Sequence, residues 1–270
     1  MKKFDSENLL ESLYAVDGIR EVLEHNQTEE NRIACEPFEQ LNQKFVTLQR
    51  QYTHSFKALN KDMESRVCRR AYSKGGKTLH RGFYSPSSLD LVVEGNRRGR
   101  LLKNPPEGNT YDYEYLFDDG NNLIGVKKYS HESDGVFRAA AVELFAYEQE
   151  RVLAFEFDPC HKYVPYFISE CQYENGRLAR YETALCGVPG QGKDCIEINV
   201  EIPGYEDALL KSVLWYRYVP CIQLLDGSRY IFSRDETGRL SEYTVEDFAD
   251  SSQKDVEDTP TFYKVKVKRK

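Results

Sequence analysis

The chain lacks any apolar run near the roughly 20 residues that a bilayer-spanning helix requires. Its start, Met1-Lys-Lys-Phe-Asp-Ser-Glu-Asn, is not followed by the apolar segment of a secretory signal. It also lacks a Cys-x-x-Cys pair, and its seven cysteines are spread along the sequence. These absences argue against a membrane-spanning or secreted protein. They predict a cytoplasmic protein with reduced thiols and no membrane partner.

Motifs for metal and nucleotide binding are incomplete. The spacing of a structural zinc site is missing around Cys160-His161 and Cys171. The segment 187–193 satisfies Gly-x-x-x-x-Gly-Lys, but Asp194 stands where a phosphate-binding loop needs Ser or Thr. A strand-like segment follows instead of a helix, so we interpret 187–194 as a loop between two strands. The sequence therefore predicts neither a metal nor a cofactor.

Charge is present in quantity but unevenly distributed. The chain has a net charge of −7, whereas residues 66–104 carry +8 and residues 105–260 carry −16. An acidic body of this kind repels nucleic acid and attracts a basic partner. The basic segment mixes cations with aromatic residues, a pattern that can also hold phosphates and stack bases. We favour its docking on the acidic part of the same chain.

The first quarter has helical periodicity. Asp5 or Ser6 can cap a helix that runs to about Glu24. A longer helix is predicted from Pro37 to the Gly75-Gly76 pair, with apolar residues spaced by three and four as in a coiled coil. Its stripe comprises Phe38, Leu41, Phe45, Leu48, Tyr52, Phe56, Leu59, Met63 and Val67. The two helices are expected to form an antiparallel pair, and the long one could also pair with a second copy of the chain.

From about residue 78 the period changes to two, and 19 Tyr and 14 Phe favour sheet. Three segments share one form, an aromatic strand, a Gly-containing turn, a Leu and a second strand: 113–126, 167–181 and 230–243. Further strands are predicted at 141–147, 152–157, 196–202, 213–219 and 221–225, with turns at 148–151 and 226–229. The alternating tail 263–270 is predicted to be an edge strand. Regular spacing favours an antiparallel meander.

These patterns predict an α+β fold in which an N-terminal antiparallel helical pair precedes a large antiparallel β-sheet meander, as an open curved sheet, a sandwich or a partial barrel. The predicted domains are a helical hairpin (1–75), an antiparallel β domain (76–245), and an acidic linker with a basic C-terminal strand or tail (246–270).

The segments Tyr173-Glu-Asn-Gly176-Arg177-Leu178 and Asp235-Glu-Thr-Gly238-Arg239-Leu240 resemble the YD repeats of RHS-type proteins. The segment 118–123 resembles them more distantly, because it has one inserted residue and lacks the Arg. RHS shells enclose toxic domains, and the cognate immunity proteins are cytoplasmic binders that are often acidic. The resemblance and the charge together imply the immunity side of such a toxin–antitoxin system.

The leading hypothesis is a protein-binding protein that occludes a basic partner, such as a toxin, by steric and electrostatic means. Its predicted contacts are the acidic residues of the hairpin turns, Asp118, Asp119, Glu174, Asp235 and Glu236. A second hypothesis is a hydrolase on the concave sheet face, with His131 or His161 beside a cysteine or a carboxylate. A third is binding of RNA or single-stranded DNA through Arg97, Arg98 and Arg100. No catalytic residue is assigned.

Overall fold

The computed structural model describes residues 28–75, 86–89, 99–103, 111–131, 137–158, 164–187, 195–250 and 261–266. Strands dominate this part of the chain. The helices are α1 (Glu29–Tyr52) and α2 (Phe56–Arg66), and a 3-10 turn spans Pro220–Ile222. The strands are β1 (Arg69–Lys74), β2 (Arg100–Leu101), β3 (Tyr113–Phe117), β4 (Leu123–His131), β5 (Phe137–Glu148), β6 (Arg151–Phe157), β7 (Pro165–Glu174), β8 (Arg177–Cys186), β9 (Cys195–Glu206), β10 (Leu209–Val219), β11 (Leu224–Arg234), β12 (Leu240–Asp250) and β13 (Thr261–Lys266).

The chain divides into two compact units, and each is described by itself. The central unit is Leu48–Thr183, and the other, the terminal unit, is Met1–Thr47 with Ala184–Lys270. In the central unit the strand order is β2-β1-β3-β4-β5-β6-β7-β8. Pairing from β2 through β7 is antiparallel. Because β3 to β8 are neighbours in chain order, this part is a meander, which confirms the predicted antiparallel sheet.

Both faces of the central sheet carry buried residues. On one face, α2 places Met63 over Gly125, where an added Cβ would lie 3.1 Å from the Met63 sulfur. Tyr52 stacks on Phe155 of the same face, with ring centroids 4.0 Å apart. The opposite face carries the apolar cluster Tyr115, Phe117, Leu123 and Val126, with Ala71, Tyr113 and Phe145 packed against it. The strands can therefore be apolar in near-continuous runs, as in the buried Tyr115-Leu-Phe segment of β3.

In the terminal unit the strand order is β9-β10-β11-β12-β13, again with antiparallel pairs. Phe38 of α1 packs against the rings of Tyr216 and Tyr218 on β10, with centroids 5.5 and 5.7 Å apart. The Asn31 side chain donates to the carbonyl of Gln223, 3.0 Å away, and so ties the start of α1 to the residue between the 3-10 turn and β11. The tail segment 261–266 pairs with β12.

The predicted helical pair with a coiled coil is wrong. The long helix was expected from Pro37 to Gly75, but α1 begins at Glu29 and contains Pro37, and α2 ends at Arg66. Residues 69–74, predicted as the last helical turns, form β1 instead. The first predicted helix, 5–24, lies outside the described residues.

The helical prediction failed for two physical reasons. His54 adopts a left-handed conformation (φ 69°), which interrupts the helix between Tyr52 and Phe56 although no Pro or Gly marks the break. The apolar stripe is real, since Phe45 and Met63 are buried. Its observed contacts are with strands, as for Phe38 and Tyr52, and periodicity identifies an apolar face without saying what covers it.

Candidate functional site

Three acidic turns lie at one end of the central sheet. In an antiparallel meander each strand reverses direction, so alternate connections fall at the same end. The connections β3–β4, β5–β6 and β7–β8 therefore share an end. Their acidic side chains are Asp118, Asp119, Glu148, Glu150 and Glu174. We call this set the central acidic turns.

The local sequence explains why these turns are tight. Asn175 and Gly176 both have positive φ (52° and 74°), the conformation that a two-residue hairpin loop requires and that Asn-Gly adopts most readily. Gln149 and Asn121 also have positive φ (44° and 61°). Because tight loops project little beyond the strand ends, the acidic side chains next to them are held close to the sheet.

The terminal unit repeats this arrangement independently. Its β9–β10 connection uses Asp207 and Ala208 with positive φ (47° and 68°), and its β11–β12 connection contains Gly238 (φ 76°). By the same alternation these two turns share an end of that unit's sheet. Their acidic side chains are Glu206, Asp207, Asp235 and Glu236.

The five predicted contact residues separate into two groups. Asp118 accepts hydrogen bonds from the backbone and side-chain amides of Asn122, at 2.8 and 3.1 Å. Asp235 accepts from the backbone N–H groups of Thr237 and Arg239, both at 3.0 Å. These two carboxylates hold their own turns. The remaining three, Asp119, Glu174 and Glu236, are exposed.

A small cleft on the central sheet contains a second group of carboxylates. Glu143 of β5 and Glu156 of β6 are direct cross-strand partners, so both side chains leave the same face. They line a cavity of about 100 Å³ together with Tyr113, Val126, Lys128 and Ala141. The Tyr166 hydroxyl donates to Glu156 at 2.5 Å. We call this the carboxylate cleft.

The electrostatics of the carboxylate cleft favour protonated phenols. Burial, aided by nearby negative charges that include Glu156, raises the pKa of Tyr113 to about 12. Burial and the Glu156 carboxylate also raise the pKa of Tyr166 well above its usual range. Both phenols therefore remain hydrogen-bond donors near neutral pH. Two carboxylates beside two phenols and an exposed lysine can bind a polar or cationic group and can exchange protons with it.

The sequence analysis missed Glu143 and Glu156. A signal existed, because residues 148–151 had been identified as a turn between two strands. Counting five residues back from Glu148 and five on from Arg151 brings Glu143 opposite Glu156, as the register confirms. A carboxylate on each of two facing apolar strands was the feature that single-residue reasoning overlooked.

Two of the described cations of the basic segment, Arg69 and Arg70, contact the chain itself. Arg70 bridges Glu64 and the buried Glu114. Arg69 donates to the Asn121 side chain at 2.6 Å and lies over the Phe117 ring, 3.6 Å from its centroid. The carboxylate of Glu114 also accepts from the Tyr129 hydroxyl at 2.7 Å.

Other predicted site residues are not brought together. Arg100 is exposed on β2, whereas Arg97 and Arg98 lie outside the described residues, so nucleic-acid binding stays a prediction. Cys160, His161 and residues 188–194 of the Gly-Lys loop also lie outside them, and of His131 only the backbone is described.

The described residues form neither a metal-binding group nor a membrane-spanning helix. In that part of the chain no three His, Cys, Asp or Glu side chains are grouped so that they could hold a metal ion. None of the described helices is long and apolar enough to cross a membrane.

No known protein family and no curated protein matches this sequence. Among solved structures, a porin-like protein from Bacteroides vulgatus ATCC 8482 is similar over 46% of this chain, with 11% identity and a TM-score of 0.29. The match covers 49% of that chain, so this protein spans about half of the relative's length. A protein of unknown function from Bacteroides fragilis NCTC 9343 is similar over 40% of this chain and 81% of its own, with 9% identity and a TM-score of 0.31.

Proposed function

We propose that this protein binds a basic protein partner through its acidic hairpin turns. The observation that carries the proposal is the meander, which gathers the central acidic turns at one end of a sheet. Asp119 and Glu174 are exposed there and are separated in the strand order by the turn that carries Glu148 and Glu150. Exposed like charges held on tight turns form a field that a cationic surface can complement.

The proposed role of these charges is to steer association. Exposed carboxylates at the rim of an interface mainly raise the association rate, and salt screens them. Affinity must then come from contacts formed after the encounter, such as apolar anchors on the partner. Exposed large apolar side chains near the turns, such as Tyr147 of β5 at 47% exposure, are candidates for these later contacts.

The partner class that we favour is a toxin domain in the cytoplasm. This part of the proposal rests on the resemblance of segments 173–178 and 235–240 to YD repeats and on the acidic body of the chain. Bound at its turn end, the protein would occlude the toxin's active site sterically. No chemical step on the toxin is required.

The experiment is a binding assay against the products of the genes that neighbour this one. Association rates are measured by surface plasmon resonance at low and high salt for the wild type and for the double variant D119N/E174Q. We expect the double variant to associate several-fold more slowly at low salt, with a smaller effect at high salt. The control is D62N, because Asp62 is an exposed carboxylate on α2 that does not belong to the central acidic turns. Equal rates for wild type and D119N/E174Q, or an equal loss in D62N, would contradict the proposal.

A hydrolase is the second candidate, and the carboxylate cleft favours it. Retaining glycosidases use two carboxyl groups about 5 Å apart, and direct cross-strand partners such as Glu143 and Glu156 can reach that separation. The cavity of about 100 Å³ is smaller than the roughly 300 Å³ of ordinary ligand sites, so this candidate ranks second. Turnover of aryl glycosides that disappears in E143Q and in E156Q would support it. A wild type without turnover would exclude this reaction for those substrates.

A further inference from the structure

Cys186 and Cys195 bring their sulfur atoms close together within the terminal unit, to which the last three residues of β8 (184–186) belong. Cys186 ends β8 and Cys195 begins β9, and their Sγ atoms lie 3.9 Å apart. Both are thiols outside any disulfide, and only 5% and 2% of their surfaces are exposed. A disulfide bond is about 2.05 Å long, so closure requires the two sulfurs to approach by about 2 Å more. Rotation of the two side chains can supply such a movement.

The surroundings hold this pair in place. The backbone N–H of Cys195 donates to the Asn42 side chain of α1 at 3.0 Å, and Asn42 is 1% exposed. The Cys186 sulfur lies 3.9 Å from the carbonyl oxygen of Ala184, a buried residue of the same strand. The proximity of the two sulfurs is therefore a property of the folded terminal unit, in which packing restricts both strand ends.

We propose that Cys186 and Cys195 form a redox-active dithiol that closes reversibly to an intramolecular disulfide. The co-reactant is a low-molecular-weight disulfide of the glutathione type. One cysteine loses its proton and attacks a sulfur of the co-reactant, which forms a mixed disulfide and releases one small thiol. The second cysteine, deprotonated in turn, attacks the protein sulfur of the mixed disulfide and releases the second small thiol. The protein is oxidised by two electrons and the co-reactant is reduced by two.

Closure would link the end of β8 to the start of β9 across a loop of ten residues. Such a cross-link restricts the unfolded chain, and it stabilises the native state when the native geometry accommodates the bond. We expect the melting temperature of the oxidised protein to exceed that of the reduced protein by roughly 5 °C. The burial of both thiols predicts slow closure that depends on local opening.

The test is a redox titration of the intact wild-type protein in buffers of reduced and oxidised glutathione. Samples are trapped by alkylation, and the Cys186–Cys195 linkage is quantified by peptide mass spectrometry. The same titration is carried out in concentrated urea. In the unfolded chain only the length of the segment between the two cysteines sets the effective concentration of one thiol near the other. We expect the folded protein to give an effective concentration at least roughly tenfold higher than the urea-unfolded chain. An equal or lower value in the folded protein would overturn the proposal.

Variants provide the matched controls. C195A should lose the intramolecular disulfide and the associated rise in melting temperature. C68A, which removes an exposed thiol of the central unit, should keep both. If C195A fails to fold, the comparison of folded and unfolded wild type still decides the outcome. Dominant linkage of Cys186 or Cys195 to any other cysteine of the folded chain would also overturn the proposal.

Discussion

Glu143 and Glu156 face each other directly across β5 and β6 and line the same small cavity. Like charges in directly opposed positions destabilise a sheet. The Tyr166 hydroxyl offsets part of this cost by donating to Glu156. A local arrangement that lowers stability is a common mark of a functional site, and the carboxylate cleft therefore merits testing apart from the acidic turns.

The first prediction concerns that repulsion. Glu156→Gln removes one of the two charges and keeps an oxygen that can accept from Tyr166. We expect the free energy of unfolding at neutral pH to rise by about 0.5 kcal/mol, measured by urea denaturation. The control is Glu150→Gln, which neutralises an exposed turn residue and should not raise the free energy of unfolding. A lower stability of E156Q would contradict this prediction, because it would show that the Glu156 carboxylate has net favourable interactions in the folded protein.

The second prediction is a loss of stability at alkaline pH. Burial is the main cause that raises the pKa of Tyr113 to about 12 and the pKa of Tyr166 well above the ordinary value of 10.0. Above about pH 10 the unfolded chain therefore releases protons that the folded chain retains, and the free energy of unfolding falls as pH rises. The stability that these groups contribute is fully present below about pH 10 and is lost as pH rises toward about 12.

Urea midpoints measured between about pH 8 and pH 11.5 check this sign. Tyr113→Phe removes one of the titrating groups, so its stability should fall less steeply over that range than that of the wild type. A parallel fall in both proteins would show that Tyr113 titrates normally in the folded state.

The third prediction concerns a buried carboxylate close to the acidic turns. Glu170 is 1% exposed and accepts two hydrogen bonds from Arg151, at 3.0 and 2.9 Å. Arg151→Ala would leave this charge supported by Gln172, whose amide donates at 2.9 Å. We expect a loss of about 2 kcal/mol in the free energy of unfolding. Arg151→Lys should lose less, because it keeps the charge but not the two-pronged geometry. Equal losses in the two variants would contradict this interpretation.

The sheet could be predicted from sequence because its turns have a local cause. Asn175-Gly176 favours the positive φ that a two-residue hairpin requires, and the flanking segments alternate with period two. The helix break could not be predicted in the same way. His54 adopts its left-handed conformation in a segment without Gly or Pro, so no local signal marks it. Tertiary packing of Tyr52 and Phe56 on neighbouring strand residues accompanies the break.

For the candidate sites, too, the sequence predicts features with a local cause and not those that depend on distant residues. Turn residues such as Asp119 and Glu174 could be named from sequence because hairpin turns are local and exposed. The role of Asp118, which accepts a hydrogen bond within its own turn, also depends only on residues nearby in the sequence. The carboxylate cleft required the register of two strands, which is a long-range property that the sequence encodes only through the position of the turn between them.

The last prediction concerns the packing of α2 on the central sheet. A Cβ added at Gly125 would lie 3.1 Å from the Met63 sulfur and 3.3 Å from a Leu116 methyl carbon. These distances are shorter than ordinary contact, and the buried Met63 side chain has little room to move aside, so Gly125→Ala should cost about 1–2 kcal/mol by overpacking. Met63→Ala alone should cost about 2–5 kcal/mol through the cavity that it leaves, because Met63 is 2% exposed.

In the double variant the added methyl group occupies part of that cavity and no longer meets the sulfur. The two losses should therefore sum to more than the loss of the double variant by at least about 1 kcal/mol, measured by urea denaturation of all four proteins. Strictly additive losses would mean that Met63 does not lie over Gly125 in solution. The absence of a side chain at Gly125 lets α2 pack closely on β4. The coupling energy between the two substitutions therefore reports directly on the contact between Met63 and Gly125.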